Sequence, residues 1–302
     1  MPIVDAAPPW LVGLDDDDAV AGVPDATVWN LRGMEAWWRL YPDSMDFLNP
    51  AADTHGLKAL QTRLYREALG SALPGPDSPP LRILDAACGI GRFAVPLAAA
   101  GHAVDGLDAC RTSLERAERH GADRTSTNLR LIWGDVGDLD SLNDLLPDAS
   151  YDLVLAFELL CYVPDPVSVA TALGRKLKPG GRLVGSLEAW PGALISDATG
   201  VTVESLPGVL ETRVIGEPNE RWVRACDRPE TASILQRAGL EPRMIEGTHY
   251  IPDGPLAALL DHERIGTSDY DDALCELEGR FRTTGDLGTL PRAWLMVAER
   301  PR

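Results

Sequence analysis

Two aspartates bracket a glycine turn in the stretch RILDAACGIGRFAVPLAAAGHAVDGLDAC, residues 82–110. Asp85 ends the apolar run Ile83-Leu84, Gly89 and Gly91 follow at once, and Asp108 stands seventeen residues after Gly91. An apolar run that breaks into closely spaced glycines is a buried strand entering a tight turn, where backbone can approach a ligand. The free N–H groups of such a turn, and of the helix start behind it, favour an anionic or carboxylate-bearing part of that ligand. A carboxylate about twenty residues on, at the end of the next strand, is where an acceptor meets the two hydroxyls of a ribose. The ligand should therefore contain a nucleoside.

The segment GIGRFA (Gly89 to Ala94) also fits the dinucleotide fingerprint GxGxxG/A. In a dinucleotide site the strand normally runs straight into the first glycine. Here an acid ends the strand and Ala86, Ala87 and Cys88 intervene. Such an acid suits the α-amino group of an amino acid attached to the nucleoside. An NAD(P)-dependent oxidoreductase stays open as an alternative, although it needs a second domain with its own acid and base, and residues 190–302 look too irregular to supply one. A non-catalytic nucleoside-binding protein of the same fold is the other alternative.

Asp85, Ala87, Gly89 and Gly91 occupy the positions of an acidic residue, x, Gly, x, Gly, x, Gly motif, with Ala87 departing from its first glycine. In this the stretch resembles the first motif of the class I S-adenosylmethionine-dependent methyltransferases. Ile132-Trp133-Gly134-Asp135-Val136 is similar to that family's third strand and its Gly-Asp end, where adenine is contacted. Tyr151 to Phe157 is similar to the fourth strand, and Leu177-Lys178-Pro179-Gly180-Gly181-Arg182-Leu183-Val184 to the turn into the fifth. The resemblance covers residues 80 to 190 and the last strand. It implies S-adenosyl-L-methionine as cofactor, held by Asp85, Ala87, Gly89, Gly91, Asp108, Ala109, Asp135, Val136 and Phe157. N-terminal helices often close over cofactor and substrate in this family, which makes Arg39 and Tyr41 candidate donors to the cofactor's carboxylate.

The elements that must position these residues alternate. Strands are expected over Leu81–Leu84, Ala103–Leu107, Leu129–Trp133, Tyr151–Phe157 and Gly181–Glu188, and helices over Arg92–Ala100, Thr112–His120, Ser141–Leu146 and Pro166–Lys178. Strict alternation implies a doubly wound, mostly parallel α/β sheet with right-handed crossovers and ligands at the carboxyl ends of its strands. Past Glu188 two short strands (Val209–Ile215 and Arg221–Cys226, joined by Glu217-Pro218-Asn219), a helix (Pro229–Gly239), a strand (Pro242–Tyr250), a helical insertion (Pro255–Thr283) and a strand (Arg292–Arg300) are expected. The whole is seven strands with the last antiparallel. Residues 1–79 form an N-terminal arm and helical lid, with 1–25 mobile and 74–80 a linker. Residues 80–302 form a Rossmann-like domain with cap insertions at about 190–228 and 253–290, after the fifth and sixth strands.

A length of 302 residues with 45% hydrophobic composition supplies ample core. A net charge of −18 opposes binding to nucleic acid or anionic membranes and favours a small-molecule acceptor. The five cysteines are scattered without CxxC spacing, so neither a disulfide framework nor a metal site is expected. Cytoplasmic residence is the default, and a homodimer is left open.

In-line displacement at a sulfonium methyl needs positioning first, and a base only where the nucleophile must lose a proton. Glu158, Glu188, His249 and Tyr250 are the candidates, because each follows or ends a strand. Trp29, Trp37, Trp38, Trp190 and Trp222 fall in the lid regions, as walls for an aromatic or indole-like natural-product intermediate of secondary metabolism would.

Overall fold

A computed structural model describes residues 2–73, 78–122, 128–196, 201–216 and 222–302. The chain enters through β1 (Val4–Asp5), α1 (Pro9–Val12), α2 (Asp25–Leu40), α3 (Pro42–Met45) and α4 (His55–Ala72). There follow β2 (Arg82–Ala86), α5 (Ala94–Ala99), β3 (Ala103–Asp108), α6 (Arg111–Ala122), β4 (Leu129–Trp133), β5 (Tyr151–Ala156), α7 (Pro166–Lys176) and β6 (Leu177–Glu188). The last third contains α8 (Gly192–Ser196), α9 (Leu206–Thr212), β7 (Val214–Gly216), β8 (Trp222–Arg224), α10 (Arg228–Arg237), β9 (Glu241–Thr248), α11 (Ser268–Phe281) and β10 (Ala293–Glu299).

Among the described residues the main sheet has eight strands in the order β1-β4-β3-β2-β5-β6-β10-β9. β10 runs antiparallel to both neighbours and the remaining pairings are parallel. Side chains alternate across this sheet, so Leu84, Leu107 and Val154 enter one apolar layer with Leu173 of α7 and Leu235 of α10. Ile83, Val104 and Leu153 enter the other, with Tyr65 and Leu69 of α4, Val95 of α5 and Leu114 of α6. Each such fully buried side chain contributes roughly 1.5–3 kcal/mol, which locks the register that aims the strand ends. Caps set where helices begin: the Asp165 carboxylate accepts from Val167 and Ser168 N–H, and Asp227 with Glu230 closes a capping box on α10. No helix among the described residues is long and apolar enough to cross a membrane.

Four expectations change. The N-terminal arm is ordered where it meets the sheet: Val4 and Asp5 pair with Ile132 and Trp133 as an eighth strand, and Leu11 is buried. Ser141–Leu146 makes turns instead of a helix, because Leu142 and Leu146 reach the core while the Asn143 side chain serves Asp148 N–H and the Lys176 ammonium. Val209–Ile215 is mostly α9: Pro207 starts the helix, and Arg213, left-handed at φ +56° and tied to Asp227 and Glu230, ends it. The insertion expected over Pro255–Thr283 condenses to one long helix, α11, preceded by a short 3-10 turn. Glu217-Pro218-Asn219, Arg221 and linker residues 74–77 lie outside the described residues.

Candidate active site

Strand register brings the acids together. Asp85 on β2 pairs with Gly106 of β3 on one side and Leu155 of β5 on the other. Asp108 therefore stands two residues beyond its level and Glu158 three, on the same carboxyl edge. Asp108 pairs with Trp133, so Asp135 follows just past the end of β4.

The turn between β2 and α5 needs left-handed backbone at three places, Ala87 (φ +60°), Gly89 (φ +52°) and Gly91 (φ +86°). Gly89 is held by Asp108, whose Oδ2 accepts its N–H at 2.7 Å while Oδ1 accepts from Cys110 N–H at 2.8 Å. Gly91 works through packing: a β-carbon there would lie 2.6 Å from Val95 Cγ2 and 3.3 Å from Ala117 Cβ, so glycine lets the turn seat between α5 and α6. Ala87 adopts a glycine's conformation without being one and carries the strain of that choice.

Above this edge lies a cavity of about 330 Å³, the size of a small-molecule site. Part of it is lined by Asp85, Ala87, Cys88, Gly89, Asp108, Ala109, Asp135 and Val136. The rest is mainly apolar and aromatic, with Met45, Phe47, Phe93, Phe157 and Tyr162, interrupted by the charged pair Arg92 and Glu158. Thr27, Asn30, Leu31, Met34 and Trp38 roof it from α2 in an i, i+3, i+4, i+7, i+11 stripe. Asn30 fastens that roof, donating to Tyr162 O and accepting from Trp222 N–H.

Buried carboxylates here are held away from their ordinary state. Burial pushes Asp85 up to about 7, against a backbone hydrogen bond from Ala94 and with help from nearby Asp108. Burial likewise raises Asp108 to about 6, opposed by the Cys110 and Gly89 N–H groups, and raises Asp135. Asp85 is 3% exposed, and its Oδ2 has no hydrogen-bond partner among the described residues. A buried acceptor oxygen aimed at a cavity is a receptor for a cationic N–H donor.

Of the candidate cofactor residues, then, Asp85, Ala87, Gly89, Asp108, Ala109, Asp135, Val136 and Phe157 line one cavity. Gly91 lies behind it. Arg39 and Tyr41 are exposed and absent from its walls, because the α2 stripe that faces the cavity runs through Met34 and Trp38. Tyr41 packs at a tilt against Trp37 instead, with ring centres 5.2 Å apart.

A family model described as a methyltransferase domain matches residues 84–185. A ubiquinone biosynthesis O-methyltransferase of Vibrio atlanticus is 31% identical over 62% of this chain and 72% of its own. One from Bordetella bronchiseptica is 30% identical over 66% of this chain and 75% of its own. The chain belongs to the class I S-adenosylmethionine-dependent methyltransferases. Its fold matches solved members: a methyltransferase of Mesorhizobium loti (TM-score 0.53, 22% identity, 80% of this chain and 100% of that one). A second is the magnesium protoporphyrin IX methyltransferase of Synechocystis with bound S-adenosylhomocysteine (TM-score 0.53, 17% identity, 90% and 96%). These relatives leave the dinucleotide and non-catalytic readings of GIGRFA without support.

In this methyltransferase only one of the four candidate bases reaches the cavity. Glu158 lines it, 3.0 Å from the Arg92 guanidinium. Burial alone would raise the Glu158 carboxyl, but Arg92, with Lys58 and His249 nearby, outweighs it and holds the group at about 2. Glu188 is buried and faces Arg292 at 3.4 Å, outside the cavity wall. His249 is 2% exposed behind Tyr65, whose ring lies 4.5 Å away; burial, together with Arg92, Arg292 and Lys58, drops it to about 3. Tyr250 donates to Gly288 O and is raised by burial to about 12, outside the cavity wall. Of the five lid tryptophans only Trp38 is in the wall, with its indole N–H spent on Ser113 Oγ at 2.9 Å. Sequence reasoning missed Arg92, Asn30, Met34, Met45, Phe47, Phe93 and Tyr162. Arg92 was within reach, since it sits inside GIGRFA directly after the turn.

Proposed function

We propose that this enzyme methylates a hydroxyl oxygen of a flat aromatic small molecule. What carries the reading is a single cavity whose acid-lined glycine turn continues into walls of Phe47, Phe93, Phe157, Tyr162, Met34 and Met45. Aromatic faces and thioethers favour planar, polarisable guests. Oxygen is favoured over nitrogen by the two relatives named O-methyltransferases.

S-adenosyl-L-methionine, when bound, supplies an electrophilic methyl carbon. The chain's own residues do the holding. Asp85 Oδ2 accepts from the ligand's ammonium group, Asp108 from the ribose hydroxyls while it tethers Gly89, and Asp135 with Val136 meets the adenine beside Ala109. The α2 stripe and Phe47 act as a lid from the first 79 residues, and the segments near 190–228 and 253–290 act as caps. Enclosure by these parts excludes water and orients the acceptor, which is the main contribution a displacement of this kind requires. Five cysteines that form no disulfide among the described residues suit a reducing compartment such as the cytoplasm.

The test is transfer of labelled methyl to a panel of phenols, indoles, carboxylic acids and aliphatic amines. Label on phenolic oxygen is expected, and label confined to aliphatic amines overturns the reading.

A further inference from the structure

We infer that Glu158, set in place by Arg92, receives the hydroxyl of an acceptor that enters un-ionised, so that the site selects neutral phenols over phenolates and carboxylates. The inference rests on the aromatic O-methylation reading above and names the form of acceptor that reading leaves open.

Each nitrogen of the Arg92 guanidinium already donates within the protein. Its Nε donates to Thr62 Oγ1 at 2.7 Å, Nη1 to Glu158 at 3.0 Å and Nη2 to Lys58 O at 3.2 Å. Its guanidinium carbon lies 5.1–5.6 Å from the ring centres of Tyr65, Phe47 and Phe93, and its side chain is only 9% exposed. Glu158 is the converse. It is fixed from behind, left-handed at φ +52° with its N–H on Ser186 Oγ at 3.0 Å, while its side chain keeps 41% exposure and lines the cavity. Strained backbone of this kind persists where the surroundings over-determine it and tends to mark working residues.

Charge then decides what can approach. Arg92 is the one cationic side chain among the described lining residues, whereas Asp85, Asp108, Asp135 and Glu158 are all acids. A phenolate or carboxylate beside Glu158 would meet like charge, and the cations nearest that point, Arg92 and Lys58, are already drawn to Glu158 itself. A neutral O–H would find an ionised acceptor in apolar surroundings, the arrangement in which a charge-assisted hydrogen bond is strongest. The groups facing Glu158 are Arg92 after the turn, Lys58 and Tyr65 on α4, and His249 past β9, and the two cations among them, Arg92 and Lys58, keep it ionised throughout the working pH range.

So weak a base does not strip a free phenol. It can accept the proton once the oxygen has begun to bond to carbon and turned acidic. The acceptor oxygen uses a lone pair to form the O–CH3 bond, the C–S bond breaks with its pair returning to sulfur, whose positive charge is lost, and the phenolic proton passes to the Glu158 carboxylate and on to water.

The experiment uses the full chain with saturating methyl donor, phenols whose own pKa values straddle the assay range, and pH 7.5 to 9.5. Acceptor KM should follow the neutral fraction, rising about tenfold per pH unit above each phenol's pKa. Glu158→Gln should lower kcat/KM for neutral phenols tenfold or more and shrink the preference for neutral over ionised acceptor by a similar factor, with S-adenosylhomocysteine affinity held within twofold by calorimetry. The wild-type series needs no variant, so it decides the matter even if E158Q folds poorly. Rates that track the phenolate fraction overturn the inference while leaving aromatic O-methylation standing, as does an unchanged preference in E158Q. A wild-type enzyme that methylates no phenol in any form overturns both.

Discussion

Asp85, if it receives the cofactor's ammonium group, should make cofactor affinity rise with pH by a definite amount. Its carboxyl sits at about 7 in the ligand-free protein, against 3.8 in an unfolded chain, because burial disfavours the charge and Oδ2 has no partner among the described residues. An ammonium-bearing ligand binds the ionised form. About 3% of the sites are ionised at pH 5.5 and about half at pH 7, so affinity for S-adenosylhomocysteine should rise about fifteenfold between them. Asp108, at about 6, steepens the lower part of that range. The stability sign is opposite: a raised carboxyl stabilises the ligand-free fold below about pH 4, and that contribution, on the order of 4 kcal/mol, is lost as pH climbs through 7. Asp85→Asn should therefore raise the melting temperature of ligand-free protein at pH 7.5, weaken S-adenosylhomocysteine by about 10- to 100-fold and flatten the pH profile below 7. Calorimetric titration and thermal melts across pH 5.5–7.5 measure all three. Affinity that does not vary with pH, together with unaltered binding in the variant, would refute the role given to Asp85.

Ala87→Gly relieves a left-handed alanine and should stabilise the protein by about 1 kcal/mol, as read from denaturant midpoints. Gly91→Ala forces a β-carbon to 2.6 Å from Val95 at φ +86° and should destabilise by more than about 1 kcal/mol, with cofactor binding falling as the turn shifts. Phe47→Ala should raise acceptor KM severalfold, whereas Trp29→Ala, on the half-exposed side of α2 and away from the cavity wall, should leave kinetics unchanged.

The doubly wound core was legible because each of its strands is an apolar run ended by a turn, and that pattern depends on neighbours in sequence. That Asp85, Asp108 and Asp135 meet at one cavity could be read for the same reason, since the carboxyl end of a parallel strand is a place as well as a position. Arg39 and Tyr41 could not be placed, because which face of α2 meets the cavity depends on how the helix docks. Its stripe from Thr27 to Trp38 becomes visible only after Asn30 is seen clamped between Tyr162 and Trp222. His249 and Tyr250, expected to end the strand, fall just past β9, where the Glu278 carboxylate draws the Tyr250 and Ile251 N–H groups inward and leaves both residues behind the cavity wall. The β1 pairing was hidden for a further reason: Val4-Asp5 carries no strand pattern of its own and borrows its conformation from the open edge of β4.

A crystal structure of the complex with S-adenosylhomocysteine is the most direct measurement. It should show the amino group on Asp85 Oδ2, the ribose hydroxyls on Asp108 and the adenine beside Ala109 and Val136, under the α2 stripe. Binding at any other part of the molecule, or an amino group turned away from Asp85, would contradict the account.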